Sequence, residues 1–228
     1  MSAKQKGVYH TASEHLKPML TVDVVIFTIE ADQLKVLLIE RSREPFKGSH
    51  ALPGGFIESN EKLEAAAQRI LVERAGVGHM YLEQLYTFDG SGKDPRGRIP
   101  TVAYVALARR DSIAFASNQA QLVSVIALPP MAFDHAGIVK YAMKRLRYKL
   151  EYTNAVASLL PAEFTLQELQ RVYEIIFARP IDKRNFRKKF LSLDMITETK
   201  KMRSGGRHRP ARLYRFKTMA PTSLANFF

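Results

Sequence analysis

The stretch from Gly55 to Val77, GFIESNEKLEAAAQRILVERAGV, constrains the fold of this chain more than any other. Apolar residues recur in it at spacings of three and four, the period of an amphipathic helix, and no residue in the run is a helix breaker. The pattern predicts a helix over residues 62–75, preceded by a loop that carries Glu58 and Glu61.

The spacing of other residues in this stretch follows a second, stricter pattern. A glycine, five residues, a glutamate and seven further residues lead to Arg-Ile-Leu-Val-Glu-Arg-Ala-Gly-Val. This arrangement resembles the box of the Nudix family, which has metal-binding glutamates at the positions of Ile70, Glu73 and Arg74. An ordinary loop and helix is the alternative. Seven matched positions in 23 residues favour the resemblance: Gly55, Glu61, Arg69, Leu71, Glu73, Gly76 and Val77.

Two of these box positions lack a metal-binding side chain. Residues 70, 73 and 74 are spaced i, i+3 and i+4, so a continuous helix places them on one face. Carboxylates there would hold a hard cation such as Mg²⁺, which would polarise a pyrophosphate and activate water. Ile70 offers no ligand, and Arg74 adds a permanent positive charge. We therefore expect no catalytic residues and no bound metal, a Nudix box that is degenerate at Ile70, Glu73 and Arg74, and a Glu61–Arg69 pair that is structural.

The net charge of +13 is confined to the C-terminal part of the chain. Residues 1–139 hold 15 basic and 15 acidic residues, whereas residues 140–228 hold 20 basic and 7 acidic ones. This asymmetry predicts a second domain that binds a polyanion, with a solvated basic surface or a nonspecific contact of the rRNA type as the alternatives.

Composition excludes several other classes of protein. The chain has no cysteine, so it has neither disulfides nor thiolate metal sites, and its six histidines lack ligand spacing. It has no apolar run long enough to span a bilayer and no apolar core after the basic N-terminus. We expect a cytoplasmic protein without a membrane partner.

The N-terminal half alternates strand patterns with few helices. A hairpin is predicted first, and one further helix is predicted over residues 136–150. This mixture suits the α/β/α sandwich of Nudix domains. The predicted strands are Thr21–Ile29, Leu34–Ile39, Tyr81–Phe88, Thr101–Ala108 and Leu122–Leu128.

The segment Asp94-Pro95-Arg96-Gly97-Arg98 resembles an element of Nudix enzymes that handle ADP-ribose, although it also suits a generic turn. Such a ligand needs cations for its diphosphate, an aromatic wall for adenine and carboxylates for ribose hydroxyls. Arg41, Arg43 and Arg98 are assigned to the diphosphate, Phe88 to adenine, and Glu58 and Asp89 to the hydroxyls. The predicted ligand-binding residues are Arg41, Arg43, Glu58, Phe88, Asp89, Arg96 and Arg98.

The C-terminal part contains the pattern of a helix-turn-helix. Thr165 and Glu168 form a capping box ahead of an apolar stripe that ends at Arg179-Pro180. Asp182 caps a second helix, in which Phe186 and Phe190 face the core and basic residues face outward. This second helix suits the major groove of DNA.

A hairpin with a basic tip follows, with strands at Met195–Thr199 and Arg212–Phe216 and a turn at Gly205-Gly206. The tip suits phosphates or a minor groove, so the whole segment reads as a winged helix. Arg184 and Asn185 suit base edges because both make bidentate contacts. The predicted DNA-binding residues are Lys183, Arg184, Asn185, Arg187, Lys188, Lys200, Lys201, Arg203, Arg207, Arg209 and Arg212.

Together, a Nudix-like domain and a winged helix resemble the NrtR family of Nudix-related regulators. The fold class is α+β: an N-terminal Nudix α/β/α sandwich followed by a C-terminal winged helix-turn-helix domain. The expected segments are an N-terminal extension (1–20), a ligand-binding domain with a linker helix (21–152) and a DNA-binding domain (153–228). The resemblance implies a bacterial, homodimeric repressor of NAD synthesis or salvage genes, released from a palindromic double-stranded DNA operator by ADP-ribose.

Two other functions stay open. An active Nudix ADP-ribose pyrophosphatase with a nucleic-acid-binding tail would need a substitute metal site built from Glu58, Glu61, Glu73 and Asp89. A structural interaction module would bind neither ligand nor specific DNA.

Overall fold

The structure is a computed structural model that describes residues 19–76, 81–90, 94–115, 118–204, 210–219 and 222. Several predictions concern positions outside the described residues: most of the N-terminal extension, Val77 of the box, and Arg207 and Arg209 with the glycine pair of the wing tip.

Within the described ranges, seven strands form the central sheet of the N-terminal half. Its main path runs β3-β2-β1-β6-β5, with β4 paired to β1 and β7 paired to β2. Strands β1 and β6 are parallel and the other pairs are antiparallel. The strands are β1 (Thr21–Glu30), β2 (Gln33–Glu40), β3 (His50–Ala51), β4 (Gly54–Phe56), β5 (Tyr81–Phe88), β6 (Thr101–Leu107) and β7 (Ala120–Ser124).

Both faces of this sheet are covered by helices. Alternate residues of β1 point to opposite faces, because side chains of a strand have a period of two. Val22 and Val24 pack with helix α1 (Leu63–Ile70), whereas Val25 packs with helix α2 (His135–Leu150). This arrangement confirms the α/β/α sandwich.

The helix predicted over residues 62–75 is present, but its second half is a π-helical turn and not an α-helix. Helix α1 ends at Ile70, and Leu71–Ala75 form a π-helical turn that ends at Gly76, with φ of 62°. The wider turn, with its i→i+5 hydrogen bonds, rotates the side chains that follow. Ile70, the last residue of α1, is buried in the core, with 1% exposed, while Glu73 and Arg74 in the π-turn are exposed. The three box positions do not share one face, because the apolar members of the stretch bury together.

Strand β7 also differs from its prediction over residues 122–128. It pairs with β2 from Ile39↔Ala120 to Lys35↔Ser124, and β2 itself begins only two residues before Lys35. Because β2 offers almost no further residues to pair with, β7 ends at Ser124 and the chain turns at residues 125–126.

The C-terminal half is a winged helix, as predicted. Its helices are α3 (Leu166–Phe177) and α4 (Lys183–Ser192), and its hairpin is β8 (Ile196–Arg203) with β9 (Ala211–Phe216). The Thr165 hydroxyl accepts a hydrogen bond from the Glu168 amide at 3.1 Å, and the Glu168 carboxylate accepts one from the Thr165 amide at 2.7 Å. The Asp182 carboxylate caps α4 by accepting from the Asn185 amide at 2.8 Å.

The first wing strand is longer than predicted. Pairing with β9 breaks after Glu198 and resumes at Met202↔Arg212 and Arg203↔Ala211. Lys200, Lys201 and Arg203 therefore lie on a strand and not in the tip of the hairpin.

One apolar cluster runs through both halves. It extends from Val25 of the sheet through Leu150 of α2 and the 3₁₀ segment Ala155–Leu159 to Tyr173 and Phe190 of the winged helix. The boundary expected after residue 152 stays a prediction. Among the described residues, no helix has the length and apolar character needed to cross a membrane.

Candidate functional site

A cavity of about 720 Å³ lies beside the N-terminal sheet. Its wall includes the ends of β2 and β5, the short strand β4 and the first turn of α2. This volume falls within the range of cavities that hold small organic ligands. The cavity is therefore the candidate ligand site.

Arginines and aromatic rings meet on one side of the cavity. The guanidinium of Arg41 lies 4.8 Å from the centre of the Phe133 ring, and its Nε donates to the Pro45 carbonyl at 2.7 Å. Arg96 lies 5.4 Å from the ring centre of Phe56. Burial lowers the pKa of Arg41, yet an arginine stays charged at physiological pH. A wall that combines guanidinium groups with aromatic rings suits a ligand that contains both an anionic group and an aromatic base.

The predicted DPRG turn is held by its own ion pair. Arg96 donates to the two carboxylate oxygens of Asp94 at 3.0 and 2.7 Å, and the Arg96 amide donates to the same carboxylate at 2.9 Å. These contacts lower the pKa of Asp94. Both charged side chains of the turn belong to the cavity wall.

A second aromatic group lines the cavity between β5 and α2. The ring of Phe88 lies 5.3 Å from that of Tyr86 and 5.7 Å from that of Tyr141. Phe88 and Tyr86 both face the cavity, so an apolar wall stands where the sequence predicted stacking on Phe88.

A buried polar group closes the base of the cavity. Thr101 donates to the Asp23 carboxylate at 2.6 Å, and the Leu52 amide donates to Nδ1 of His135 at 2.9 Å. His135 Nε2 lies 3.7 Å from Asp23 Oδ2. Burial lowers the pKa of His135, so its ring is neutral and carries its proton on Nε2, facing Asp23. Gly54 must lack a side chain here, because a Cβ would stand 1.9 Å from Asp23 Oδ1.

Arg69 organises the retained glutamates of the box. Its Nε and Nη2 reach the two carboxylate oxygens of Glu61, each at 2.8 Å. Glu58 and Glu73 lie 3.7 and 3.6 Å from the same guanidinium. The Glu61–Arg69 pair is thus formed as predicted, and it lowers the pKa of Glu61 to about 2.

The residues present do not fit the divalent cation of Nudix enzymes. Glu58, Glu61 and Glu73 surround a guanidinium, Ile70 is buried among apolar side chains, and Arg74 is positively charged. In the part of the chain that the structure describes, no three acidic or histidine side chains are grouped so as to hold a metal. The substitute set that includes Asp89 is not brought together either, since Asp89 lines the cavity and Glu58 does not.

Helix α4 presents the predicted DNA-reading surface. Phe186 and Phe190 are buried, whereas the opposite face is exposed to solvent. The exposed residues include every predicted contact on this helix: Lys183, Arg184, Asn185, Arg187 and Lys188. A helix anchored by its apolar face, with basic residues exposed on the opposite face, can enter a major groove.

The wing cations make ion pairs within the chain. Lys201 lies 3.0 Å from Glu163, Arg203 contacts Glu168, and Arg212 lies 2.9 Å from Glu198. The three cations are exposed and their carboxylate partners are partly exposed, and ion pairs at the surface contribute little to stability. The three cations can therefore exchange their carboxylates for phosphates, and the exposed side chain of Lys200 can contact a phosphate directly.

Comparison with known proteins agrees with both halves. Residues 19–144 match the model of the NUDIX domain, and residues 156–216 match that of the NrtR DNA-binding winged helix domain. A relative from Acinetobacter baylyi, the "ADPR responsive transcriptional repressor NtrR", is 39% identical over 211 residues, which cover 90% of this chain and 84% of the relative. The chain belongs to the NrtR family.

Solved structures of the NrtR family extend this likeness. NrtR of Shewanella oneidensis in complex with a 27mer DNA is 38% identical, with a TM-score of 0.80 over 87% of this chain and 93% of that one. The Nudix domain of the same protein, in complex with ADP ribose, is 36% identical, with a TM-score of 0.54 over 60% of this chain and 94% of that one. The ADP-ribose pyrophosphatase of Methanocaldococcus jannaschii is 33% identical over 132 residues, 57% of this chain and 76% of the relative.

Within this NrtR-family chain, the structure brings five of the seven predicted ligand residues to the cavity wall: Arg41, Arg43, Phe88, Asp89 and Arg96. The other two are not part of the lining. Glu58 lies beside Arg69, and Arg98 lies 3.8 Å from the carboxylate of Asp89.

Sequence reasoning missed several residues of the wall, above all Asp23, Arg74, Phe133 and His135. One signal was available: Asp23 is a charged residue inside the apolar strand pattern TVDVVIF. A charge in a buried strand needs a polar partner, but nothing in the sequence identifies His135 as that partner.

Proposed function

We propose that this chain is a repressor that binds operator DNA through its winged helix and loses that affinity when its Nudix domain binds ADP-ribose. By this proposal it is a bacterial, cytoplasmic homodimer that controls genes of NAD synthesis or salvage. The 39% identity to the Acinetobacter repressor over 90% of the chain supports it.

The ligand side of the proposal rests on the chemistry of the cavity. ADP-ribose joins a diphosphate to an adenine and two riboses, and the wall offers arginines, aromatic rings and carboxylates. We assign diphosphate contacts to Arg41, Arg43 and Arg96, and base stacking to Phe88. Asp89 can accept hydrogen bonds from a ribose hydroxyl.

The DNA side rests on the exposed face of α4 and on the wing. Arg184 and Asn185 stand near the N-terminus of α4, the end that contacts base edges in helix-turn-helix proteins. The other cations of α4 and the wing would position the domain on phosphates. A palindromic operator then requires two copies of the chain related by a two-fold axis.

Helix α2 connects the cavity to the winged helix, and this supports a coupling between ligand binding and DNA binding. The helix begins at His135 in the cavity wall, and near its other end Arg147 donates to the Ile176 carbonyl of α3 at 2.9 Å. Lys149 of the same helix pairs with Glu83 of β5. A shift of α2 on ligand binding would therefore move the winged helix relative to the sheet. In a dimer this would change the spacing of the two recognition helices.

We also propose that hydrolysis is impaired and that binding requires no divalent metal. Ile70 and Arg74 remove two carboxylates of the box, and the remaining glutamates are engaged by Arg69. The effector would then persist as a signal.

The alternative function is hydrolysis of ADP-ribose, favoured by the Nudix domain match and by the 33% identity to the Methanocaldococcus pyrophosphatase. Incubation with ADP-ribose and Mg²⁺ or Mn²⁺, followed by chromatography, separates the two. Turnover that Glu73→Gln abolishes would favour the enzyme, whereas intact ADP-ribose favours the sensor.

The direct test of repressor function is fluorescence anisotropy with a duplex that the protein selects from a random pool. We expect specific binding that saturating ADP-ribose weakens. Equal affinity for selected and scrambled duplexes, or no effect of ADP-ribose, would refute the proposal.

A further inference from the structure

Two of the four arginines in the cavity wall are already engaged. Arg96 donates two hydrogen bonds to the carboxylate of Asp94, at 3.0 and 2.7 Å. Arg41 donates to the carbonyls of Pro45 and Arg43, at 2.7 and 3.5 Å. Neither guanidinium presents all of its donors to a ligand.

Arg74 stands in a different situation. It lines the cavity and is exposed, and within the described residues it makes no ion pair and no side-chain hydrogen bond. Its neighbour Glu73 is turned to Arg69. The planar guanidinium of Arg74 therefore has five N–H donors, and no carboxylate of the described residues accepts a hydrogen bond from them.

The position of Arg74 follows from the π-turn. Leu71 and Ala75 are buried in the core, while Arg74, between them in sequence, points out of the core towards the cavity. The turn is closed by Gly76, which adopts a left-handed φ of 62° and would meet the Ala114 side chain at 3.0 Å if it had a Cβ. The backbone that carries Arg74 is thus held in place.

The cavity wall has more acidic than basic side chains, so a cation without an ion-pair partner matters for binding an anionic ligand. Carboxylates outnumber guanidiniums, six to four, so a diphosphate meets repulsion as well as attraction. The acidic members are Asp23, Glu40, Glu44, Asp89, Asp94 and Asp134.

We propose that Arg74 binds the diphosphate of the effector directly, and that it stands in for the divalent cation that a carboxylate at this position would hold. This inference rests on the proposed function, since it takes ADP-ribose as the ligand. A guanidinium makes paired, charge-assisted hydrogen bonds to phosphate oxygens, so it supplies charge and orientation without a metal. It activates no water, which separates binding from hydrolysis.

The test is isothermal titration calorimetry of the full-length protein with ADP-ribose and with adenosine, in EDTA and in Mg²⁺. The test variant is Arg74→Gln. The matched control is Arg109→Gln, which removes the same charge from the same domain at a residue paired with Asp111 and outside the cavity wall.

We expect wild-type affinity for ADP-ribose to be the same in EDTA and in Mg²⁺. Arg74→Gln should weaken ADP-ribose binding by about tenfold to a hundredfold, because a hydrogen bond to a charged group is lost. Adenosine, which has no diphosphate, should bind Arg74→Gln and wild type alike. Arg109→Gln should bind both ligands as the wild type does.

Three results would overturn the inference while leaving the proposed function intact: unchanged ADP-ribose affinity in Arg74→Gln, an equal loss for ADP-ribose and adenosine, or wild-type binding that requires Mg²⁺. A wild-type protein that binds no ADP-ribose in either buffer would instead refute the proposed function.

Discussion

Arg69 holds Glu61 in a two-bond fork, with Nε–Oε1 and Nη2–Oε2 both at 2.8 Å. Glu61 also accepts a hydrogen bond from the Glu58 amide at 2.9 Å, and Arg69 donates to the Phe56 carbonyl at 3.2 Å. The loop of the box is thus fastened to α1 by direct contacts between side chains and backbone. This scaffold holds Phe56, a residue of the cavity wall, against α1.

This ion pair predicts a specific acid dependence of stability. The pKa of Glu61 falls from 4.5 to about 2 in the folded protein. A depressed carboxyl pKa contributes stability that is present above 4.5 and is lost as pH falls towards 2. In urea unfolding, wild type should exceed Glu61→Gln in stability near neutral pH, and the difference should shrink in this acid window. A difference that stays constant with pH would contradict the assignment.

His135 predicts a second loss of stability on acidification, in a higher pH range than that of Glu61. Burial, and more weakly Arg41, lowers its pKa below 6.5, although Asp23 and Asp134 oppose the shift. The unfolded state then binds the proton more readily, so stability is lost as pH falls below about 6.5.

His135→Asn should keep an acceptor for the Leu52 amide but remove the titration. Thermal melts of the two proteins across this pH range provide the measurement. Wild type should lose more stability on acidification than the variant. Parallel curves would show that His135 does not titrate on unfolding.

The buried position of Ile70 predicts that restoring the box residue is harmful. Ile70→Glu would place a carboxylate in a cluster of apolar and aromatic side chains that includes Val24 and Leu71. An uncompensated buried charge costs about 3–5 kcal/mol. Urea unfolding should show this loss, whereas Ile70→Leu should lose less than about 1.5 kcal/mol. Equal stability of both variants would mean that position 70 faces the solvent after all.

The recognition helix predicts two kinds of mutational effect on DNA binding. Arg184→Ala should weaken binding to the selected duplex by about 1–3 kcal/mol and relax discrimination at one base position. Lys188→Ala should weaken all sequences alike and reduce the salt slope by about 1. Anisotropy titrations over a series of salt concentrations measure both. If the two variants exchange these behaviours, the orientation of α4 on DNA is different from the one proposed.

Local signals predicted much of the fold. The caps at Thr165 and Asp182 depend on residues within three positions, so the sequence contains the whole interaction. The π-turn after Ile70 was missed because its apolar spacing resembles that of an α-helix. The contact between Asp23 and His135 was missed because the two residues are far apart in sequence and only the packed sheet and α2 bring them together.

The coupling between ligand and DNA can be measured from the side of the ligand. Linkage requires that, if ADP-ribose weakens operator binding by some factor, operator DNA weakens ADP-ribose binding by the same factor. Calorimetry should therefore give a lower ADP-ribose affinity for the operator-bound protein than for the free protein, by the factor found in the anisotropy titration. Equal ADP-ribose affinity for the free and DNA-bound protein would contradict the account.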